Sequence, residues 1–243
     1  MSGHSKWANI KNKKGKADAA RGSIFTKIGR EIAVAVKAGG PDPAMNSHLR
    51  DVIAKAKQNN LPNDNITRSI KKASGELGSV DFFEIQYEGY AIGGVAVIVE
   101  ALTDNKNRTA GDVRHAFDKC GGNLGTTGSV SYMFDRKGVI VIEKGDMTED
   151  DAMMIALDAG GDDVVTEDEV FIVYTLPQNF HEVKEYLESK NCNVLSSTID
   201  FIPTNTIVPE KNQVAQIEKL IDMLECNDDV QNVYHNAEIE EEE

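Results

Sequence analysis

The feature that most constrains the fold is a series of six predicted elements between residues 138 and 202. Apolar spacing with a helical period predicts helices, and short β-rich apolar runs predict strands. The predicted order is strand, helix, strand, strand, helix, strand: Gly138–Glu143, Glu149–Ala159, Val164–Val165, Val170–Thr175, Asn179–Ser189 and Val194–Ile202. This order is the ferredoxin-like signature. We therefore predict an acidic ferredoxin-like α+β domain at residues 136–205.

The segments on either side of this series predict a second, discontinuous α+β domain. Before it come a strand, a helix and a strand, and after it a helix and a strand: Val95–Leu102, Thr109–Lys119, Ser129–Phe134, Val214–Leu224 and Val230–Tyr234. Neither piece is complete alone, whereas together they supply a second ferredoxin-like sandwich. We expect residues 79–135 and 206–243 to form one domain, into which residues 136–205 are inserted. The final residues, 238–243, are nearly all Glu and are predicted to be disordered.

Residues 1–78 carry a different pattern, typical of a small all-α bundle. Helices are predicted from Ala17 to Ala38, from about Asp42-Pro43 to Asn59-Asn60, and from about Asn63 to Gly75. A proline at the first position of a predicted helix and glycines after the last position of others support these limits. The predicted fold class is α+β with three domains, a helical bundle followed by two sandwiches, the third domain inserted into the second.

The charge is distributed very unevenly along the chain. The net charge of the 243 residues is −14, which alone argues against a nucleic-acid partner. Residues 1–78, however, hold 15 Lys/Arg against 6 Asp/Glu, a net charge of +9, and residues 79–243 hold 11 against 34, a net charge of −23. Clustered cations of this kind bind phosphate backbones by releasing counterions. The sequence therefore predicts a basic nucleic-acid-binding domain joined to an acidic remainder.

The candidate binding residues form an extended basic arm and stripes on the three predicted helices. A solvated surface is the alternative, but such surfaces usually mix the two signs of charge. Trp7 either stacks on an unpaired base or packs the arm onto the bundle, and both interpretations stay open. The candidates are Lys6, Trp7, Lys11, Lys13, Lys14, Lys16, Arg21, Lys27, Arg30, Lys37, Arg50, Lys57, Arg68, Lys71 and Lys72.

A second candidate anion site lies where a predicted strand passes into a helix. The first amides of that helix, with a neighbouring arginine, could hold an anion. Plain helix capping is the slightly favoured alternative, because Asp112 already offers negative charge there. The residues of this candidate are Asn105, Asn107, Arg108, Thr109 and Arg114. The glycine-rich stretch Gly121–Ser129 precedes a predicted strand and has no P-loop lysine, so turns explain it better than phosphate binding.

No catalytic or metal-binding pattern is present in the sequence. The five His match no metal-ligand spacing, no G-x-S-x-G occurs, and the acidic residues 162–169 lack the EF-hand pattern. Three scattered Cys argue against a disulfide framework and a zinc site. We expect a non-enzyme without catalytic residues, metal or cofactor. No apolar run is long enough for a membrane span, so we expect no membrane partner and a cytoplasmic location.

Several stretches of the chain resemble the YebC family, which includes the mitochondrial translational activator of cytochrome c oxidase. GHSKWANIKNKKGKADAARG, GGPDPAMNSHLR and AKQNNLPNDNITRSIKKA are similar to the first domain of that family. YEGYAIGGVAVIVEALTDNKNRT and DKCGGNLGTTGSVSYMFDRKG resemble its second domain. The resemblance implies one helical and two α+β domains, no enzyme activity, and a role in transcription or at the ribosome.

The expected function is regulation of gene expression by binding nucleic acid through the basic domain. DNA-binding transcriptional regulation is the first hypothesis, and an rRNA-contacting, ribosome-associated translation factor is the alternative. The sequence by itself places neither a helix-turn-helix nor a dimer interface. A third hypothesis is an interaction module whose acidic domains bind a basic protein partner. The oligomeric state stays open.

Overall fold

The structure, a computed structural model, describes residues 17–75 and 81–239, with side chains from residue 22 onward. Its first part contains three helices, α1 (Ala17–Gly39), α2 (Ser47–Gln58) and α3 (Asn63–Ala73). Apolar side chains from all three meet in one core, which contains Ile28, Ile32, Leu49, Val52 and Ile66. The helical apolar spacing of the sequence therefore predicted the right faces.

The start of α2 differs from the prediction. Asp42–Met45 forms a turn, and the helix begins four residues later than expected, at Ser47 instead of Pro43. Asn46 is the N-cap: its Oδ1 accepts from the Leu49 amide at 3.0 Å, and its Nδ2 donates to the carbonyl oxygens of Ala35 and Gly40. A buried Asn that satisfies groups of two helices is a better cap than Asp42.

The first sheet combines segments from both sides of the predicted insertion. Its elements are β1 (Phe83–Tyr90), β2 (Ala96–Thr103), α4 (Lys106–Lys119), β3 (Asn123–Leu124), α7 (Lys211–Glu225) and β8 (Val230–His235). The strand order is β3-β1-β2-β8, and every pair is antiparallel. The predicted strand at Ser129–Phe134 is wrong, because Ser131–Met133 is a single 3₁₀ turn and Phe134 already begins the next strand. β1 was not predicted, although residues 83–88 alternate between apolar and polar, the pattern of a half-buried strand.

The second sheet has the predicted β-α-β-β-α-β order. Its elements are β4 (Phe134–Glu143), α5 (Glu149–Asp158), β5 (Asp163–Thr166), β6 (Val170–Thr175), α6 (Phe180–Ser189) and β7 (Val194–Pro203). The antiparallel order β5-β6-β4-β7 places the first and third strands in the centre. Both helices contribute to one core against the sheet, around Ile140, Phe171, Val173, Val183 and Leu187.

The described residues group into two compact units. One unit contains residues 131–207 with residues 238 and 239, and therefore the second sheet and its two helices. The other contains residues 17–75, 81–130 and 208–237, which are the three N-terminal helices, the first sheet, α4 and α7. The N-terminal helices thus share a compact unit with the first sheet.

Candidate nucleic-acid interface

Five of the predicted binding residues lie exposed on α2 and α3. Arg50 and Lys57 are seven residues apart and share one face of α2, while Arg68, Lys71 and Lys72 share one face of α3. Within residues 17–75 and 81–239, no carboxylate pairs with any of these five side chains. They are therefore available to an external anion. We refer to Arg50, Lys57, Arg68, Lys71 and Lys72 as the helix-pair cations.

The predicted basic stripe on α1 has a different environment. Lys27 Nζ donates to the carbonyl oxygen of Glu225 at 2.7 Å, at the end of α7. Arg30 Nη1 donates to the carbonyl oxygen of Leu102 at 2.9 Å, and Lys37 pairs with Asp81. The stripe thus binds groups of its own unit, so we do not include these three cations in the proposed interface.

Arg30 also contacts Asp229, whose carboxylate binds several side chains of this unit. Its side chain is only 4% exposed and lies in the loop between α7 and β8. The carboxylate accepts from Arg30 Nη1 at 2.5 Å, from Arg108 Nη2 at 2.8 Å and from Thr109 Oγ1 at 2.7 Å. This carboxylate therefore connects α1 with the start of α4. We refer to Asp229, Arg30, Arg108 and Thr109 as the Asp229 clamp.

The clamp keeps the Asp229 carboxyl ionised. Burial alone would raise the pKa of this carboxyl. Hydrogen bonds from Thr109, Arg108 and Arg30, together with the positive charge of Arg30, outweigh burial and hold the pKa below its ordinary 3.8. The same hydrogen bond to Asp229 raises the pKa of the Arg108 guanidinium. A buried carboxylate satisfied by these donors and by the Thr103 hydroxyl at 3.3 Å is a stabilising feature of the unit, and Arg30, Arg108 and Thr109 are not free to bind a ligand.

The Asp229 clamp includes two residues of the second candidate anion site. Asn105 is the N-cap of α4, with its Oδ1 accepting from the Arg108 amide at 3.1 Å. Arg108 and Thr109 bind the chain's own Asp229 carboxylate, whereas Asn107 and Arg114 are exposed and take no part in the clamp. Arg108 and Thr109 therefore bind an anion of the chain itself and Asn105 caps α4, whereas binding of an external anion at Asn107 and Arg114 stays a prediction.

The remaining predicted residues lie where the structure gives no side chains. Lys6, Trp7, Lys11, Lys13, Lys14 and Lys16 lie outside the described residues. Arg21 lies in α1, but its side chain is not described. Their proposed role thus rests on the sequence.

Two carboxylates with important local roles were missed by the sequence reasoning. Glu88 on β1 is buried, and its carboxylate accepts from the amides of Gly128 and Val130, both at 2.9 Å, which fixes the glycine-rich stretch. Asp229 follows Asp228 in an acidic turn, where nothing in the sequence distinguishes it. Glu88 stands two residues before Tyr90 in a segment where polar and apolar residues alternate, and nothing in that pattern indicates that its carboxylate is buried.

Two further features concern the described ranges, residues 17–75 and 81–239. No group of three or more His, Cys, Asp or Glu in them is arranged to hold a metal ion. Nor does any helix there combine the length and the apolar composition of a membrane span.

Comparisons with known proteins cover nearly the whole chain. A family model for the "TACO1/YebC protein N-terminal domain" matches residues 5–76, and one for the "TACO1/YebC second and third domain" matches residues 82–237. A protein of Acetivibrio thermocellus is 60% identical over 97% of this chain and 98% of its own length. One of Clostridium botulinum is 59% identical over 99% and 98%. Both are named "Probable transcriptional regulatory protein".

The fold is similar to that of a solved structure. The crystal structure of a conserved hypothetical protein from Aquifex aeolicus matches with a TM-score of 0.84 and 46% identity, over 94% of each chain. The similarity therefore includes the helices that carry the candidate interface as well as both sheets.

Proposed function

Since the chain belongs to the TACO1/YebC family, we propose that it is a non-catalytic regulator of gene expression that binds nucleic acid through its basic N-terminal helices. The name of the relatives, probable transcriptional regulatory protein, supports a role in gene expression. Duplex DNA is the first proposed ligand. The binding surface comprises the helix-pair cations and, from the sequence, the basic arm of residues 6–16.

The observation that carries this proposal is the contrast between paired and unpaired cations in the three helices. Lys27, Arg30 and Lys37 bind groups of the chain, and Lys55 Nζ pairs with Glu31 at 2.6 Å. The five helix-pair cations are exposed without such carboxylates. A row of exposed Arg and Lys on helices binds the phosphates of a nucleic acid, and each contact adds affinity through counterion release.

The connection between α2 and α3 favours DNA. It contains only residues 59–62, in which Asn60 has a φ of 58° and Leu61 is buried in the core. Asn adopts this left-handed conformation more readily than most residues. A turn of this length joins the two helices of a helix-turn-helix, whose second helix lies in the major groove. We propose α3 as that helix, with the exposed Asn65 of its first turn towards base edges and its cations on phosphates.

Ribosomal RNA is the second proposed ligand, and Trp7 is the residue that favours it. This single tryptophan lies in an arm rich in lysine. Aromatic side chains stack on unpaired bases, which structured RNA offers and duplex DNA does not. Crosslinking in cells followed by sequencing of bound DNA and bound RNA decides between the two. Enrichment of ribosomal RNA over promoter DNA would replace the first ligand by the second.

We expect a steep salt dependence of binding to a DNA duplex. The logarithm of the association constant should fall linearly with the logarithm of salt concentration, with a slope on the order of −4 to −8, because several cations release counterions. Fluorescence anisotropy titrations of the full chain at several salt concentrations measure this slope. A flat dependence would show that phosphate contacts do not drive binding.

We also expect chelation to leave the protein unchanged. Because no metal ligand set occurs in the described ranges, EDTA should shift the melting temperature by less than about 1 °C. Thermal scans with and without EDTA, together with elemental analysis of the purified chain, measure this. A stoichiometric metal, or a large fall in melting temperature on chelation, would contradict the absence of a cofactor.

A further inference from the structure

Helix α5 is apolar on more than the face that it packs against its sheet. Its sequence contains six consecutive apolar residues, Ala152–Leu157. Ala152 and Ala156 are fully buried, and Met153 and Ile155 pack at the edge of the same core. A helix on a sheet needs one apolar stripe, whereas a run of six covers its whole circumference. The core of this unit therefore leaves two large apolar side chains of α5 without a buried position.

Those two side chains are Met154 and Leu157, which are 61% and 56% exposed. They are three residues apart and so lie side by side on the outer face of α5. The neighbouring helix α6 follows the usual pattern, because its exposed positions are all polar: His181, Glu182, Glu185, Glu188 and Ser189. The apolar outer face is thus a property of α5 and is not common to both helices of the sandwich.

Carboxylates surround this apolar pair. Asp150, Asp151 and Asp158 lie at −4, −3 and +4 from Met154, the helical positions adjacent to it, and all three are exposed. The sequence of the unit, residues 131–207, contains 5 Lys/Arg against 16 Asp/Glu, a net charge of −11. The face therefore presents two adaptable apolar side chains within a strongly negative potential.

We infer that the outer face of α5 docks a basic amphipathic helix of another protein. Nucleic acid and anionic lipid surfaces are repelled by Asp150, Asp151 and Asp158. A second copy of the same face would bring these aspartates against each other, which is also unfavourable. A helix with apolar residues one turn apart and Lys or Arg beside them can bury the apolar pair and place its cations against the carboxylates. This inference is independent of the nucleic-acid proposal, because it concerns the other compact unit.

A designed peptide provides the direct test. The probe is a fluorescent synthetic helix with leucine at i, i+3, i+4 and i+7 and lysine at the other positions. The control peptide has the same composition with its leucines dispersed around the helix. Anisotropy titrations with the full chain should show about tenfold tighter binding of the first peptide, since only that peptide can bury Met154 and Leu157. Equal binding of the two peptides by the wild-type chain would overturn the inference.

Variants locate the effect on α5. Met154→Gln with Leu157→Gln should remove the preference for the ordered peptide, whereas Val208→Gln, at an apolar residue 69% exposed in the other unit, should retain it. Both α5 substitutions are at exposed positions, and circular dichroism checks that the variant folds. A preference that persists in the α5 variant would overturn the proposed position.

A variant of α6 with the same change in net charge is the control for the α5 carboxylates. Asp150→Asn with Asp158→Asn should weaken binding of the ordered peptide more than Glu182→Gln with Glu185→Gln, which removes the same charge from α6. Equal weakening would show that only the net charge of the chain matters, and would overturn the role of the α5 carboxylates. Sedimentation of the wild-type chain tests whether a second copy of the chain binds this face instead. A dimer that Met154→Gln with Leu157→Gln abolishes would assign the face to self-association and overturn the inference.

Discussion

Replacing Asp229 by alanine is expected to lower the free energy of unfolding by about 3–5 kcal/mol, the usual cost of removing one partner of a buried ion pair. The cost arises because Arg30, whose side chain is 14% exposed, loses its carboxylate while it stays in place between α1 and the loop before β8. The fully buried Thr109 hydroxyl also loses the shortest of its hydrogen bonds, the one to Asp229 at 2.7 Å. Chemical denaturation followed by circular dichroism measures the loss.

The preceding residue supplies a matched control for this prediction. Asp228 is exposed, and its Oδ1 accepts a single hydrogen bond, from Ser23 Oγ at 2.8 Å. Asp228→Ala should cost less than about 1 kcal/mol, because exposed polar contacts contribute little. A loss at Asp229 that is no larger than the loss at Asp228 would contradict the importance of the Asp229 clamp.

The clamp also predicts how stability depends on pH. In the folded chain the pKa of Asp229 lies below its ordinary 3.8, so the folded state favours the ionised carboxylate. The stabilisation is complete well above pH 4 and is lost as the pH falls below about 4, where the unfolded chain binds the proton more tightly. Asp229→Asn should therefore show a weaker loss of stability between pH 5 and pH 3 than the wild type. Parallel curves would contradict this assignment.

Regular periodicity made most of the second sheet predictable from the sequence. Residues 170–175 of β6 were predicted with both limits correct, because a continuous β-branched and aromatic run between turn residues has few alternatives. β4 begins four residues before its prediction, since Asp135, Arg136 and Lys137 lengthen it with polar residues. Pairing with β7 along its whole length, which is a long-range contact, decides that limit.

The candidate interface was less predictable because helical spacing does not reveal long-range partners. Arg30 and Lys57 look equivalent in the sequence, since each is a cation beside an apolar stripe. The structure separates them, because Arg30 lies against Asp229, some two hundred residues later in the chain, while Lys57 is exposed. A single sequence can identify a basic helix face, but it cannot show which of its cations pair with groups of the chain itself.

Neutralising the helix-pair cations is expected to have the largest effect on nucleic-acid binding. Changing Arg50, Lys57, Arg68, Lys71 and Lys72 to Gln should weaken binding to duplex DNA on the order of 100-fold at physiological salt. If all five contact phosphates, the salt slope should become less steep by about 4. The loss should be nearly the same for all DNA sequences, because phosphate contacts position the protein without reading bases. Anisotropy titrations over a range of salt measure both quantities.

A second five-residue variant separates the placement of these charges from their number. Arg114, Lys119, Lys190, Lys211 and Lys219 are also exposed, and changing them to Gln alters the net charge by the same amount. This variant should keep most of the affinity and nearly the full salt slope. Salt screens the interaction between the bound DNA and charges that lie far from it, so their removal has little effect on binding. If both variants lose affinity alike, general electrostatics accounts for binding and the proposed surface is wrong. If only the helix-pair variant loses affinity, while Asp229→Asn retains it, the cations that bind phosphate are the exposed ones on α2 and α3.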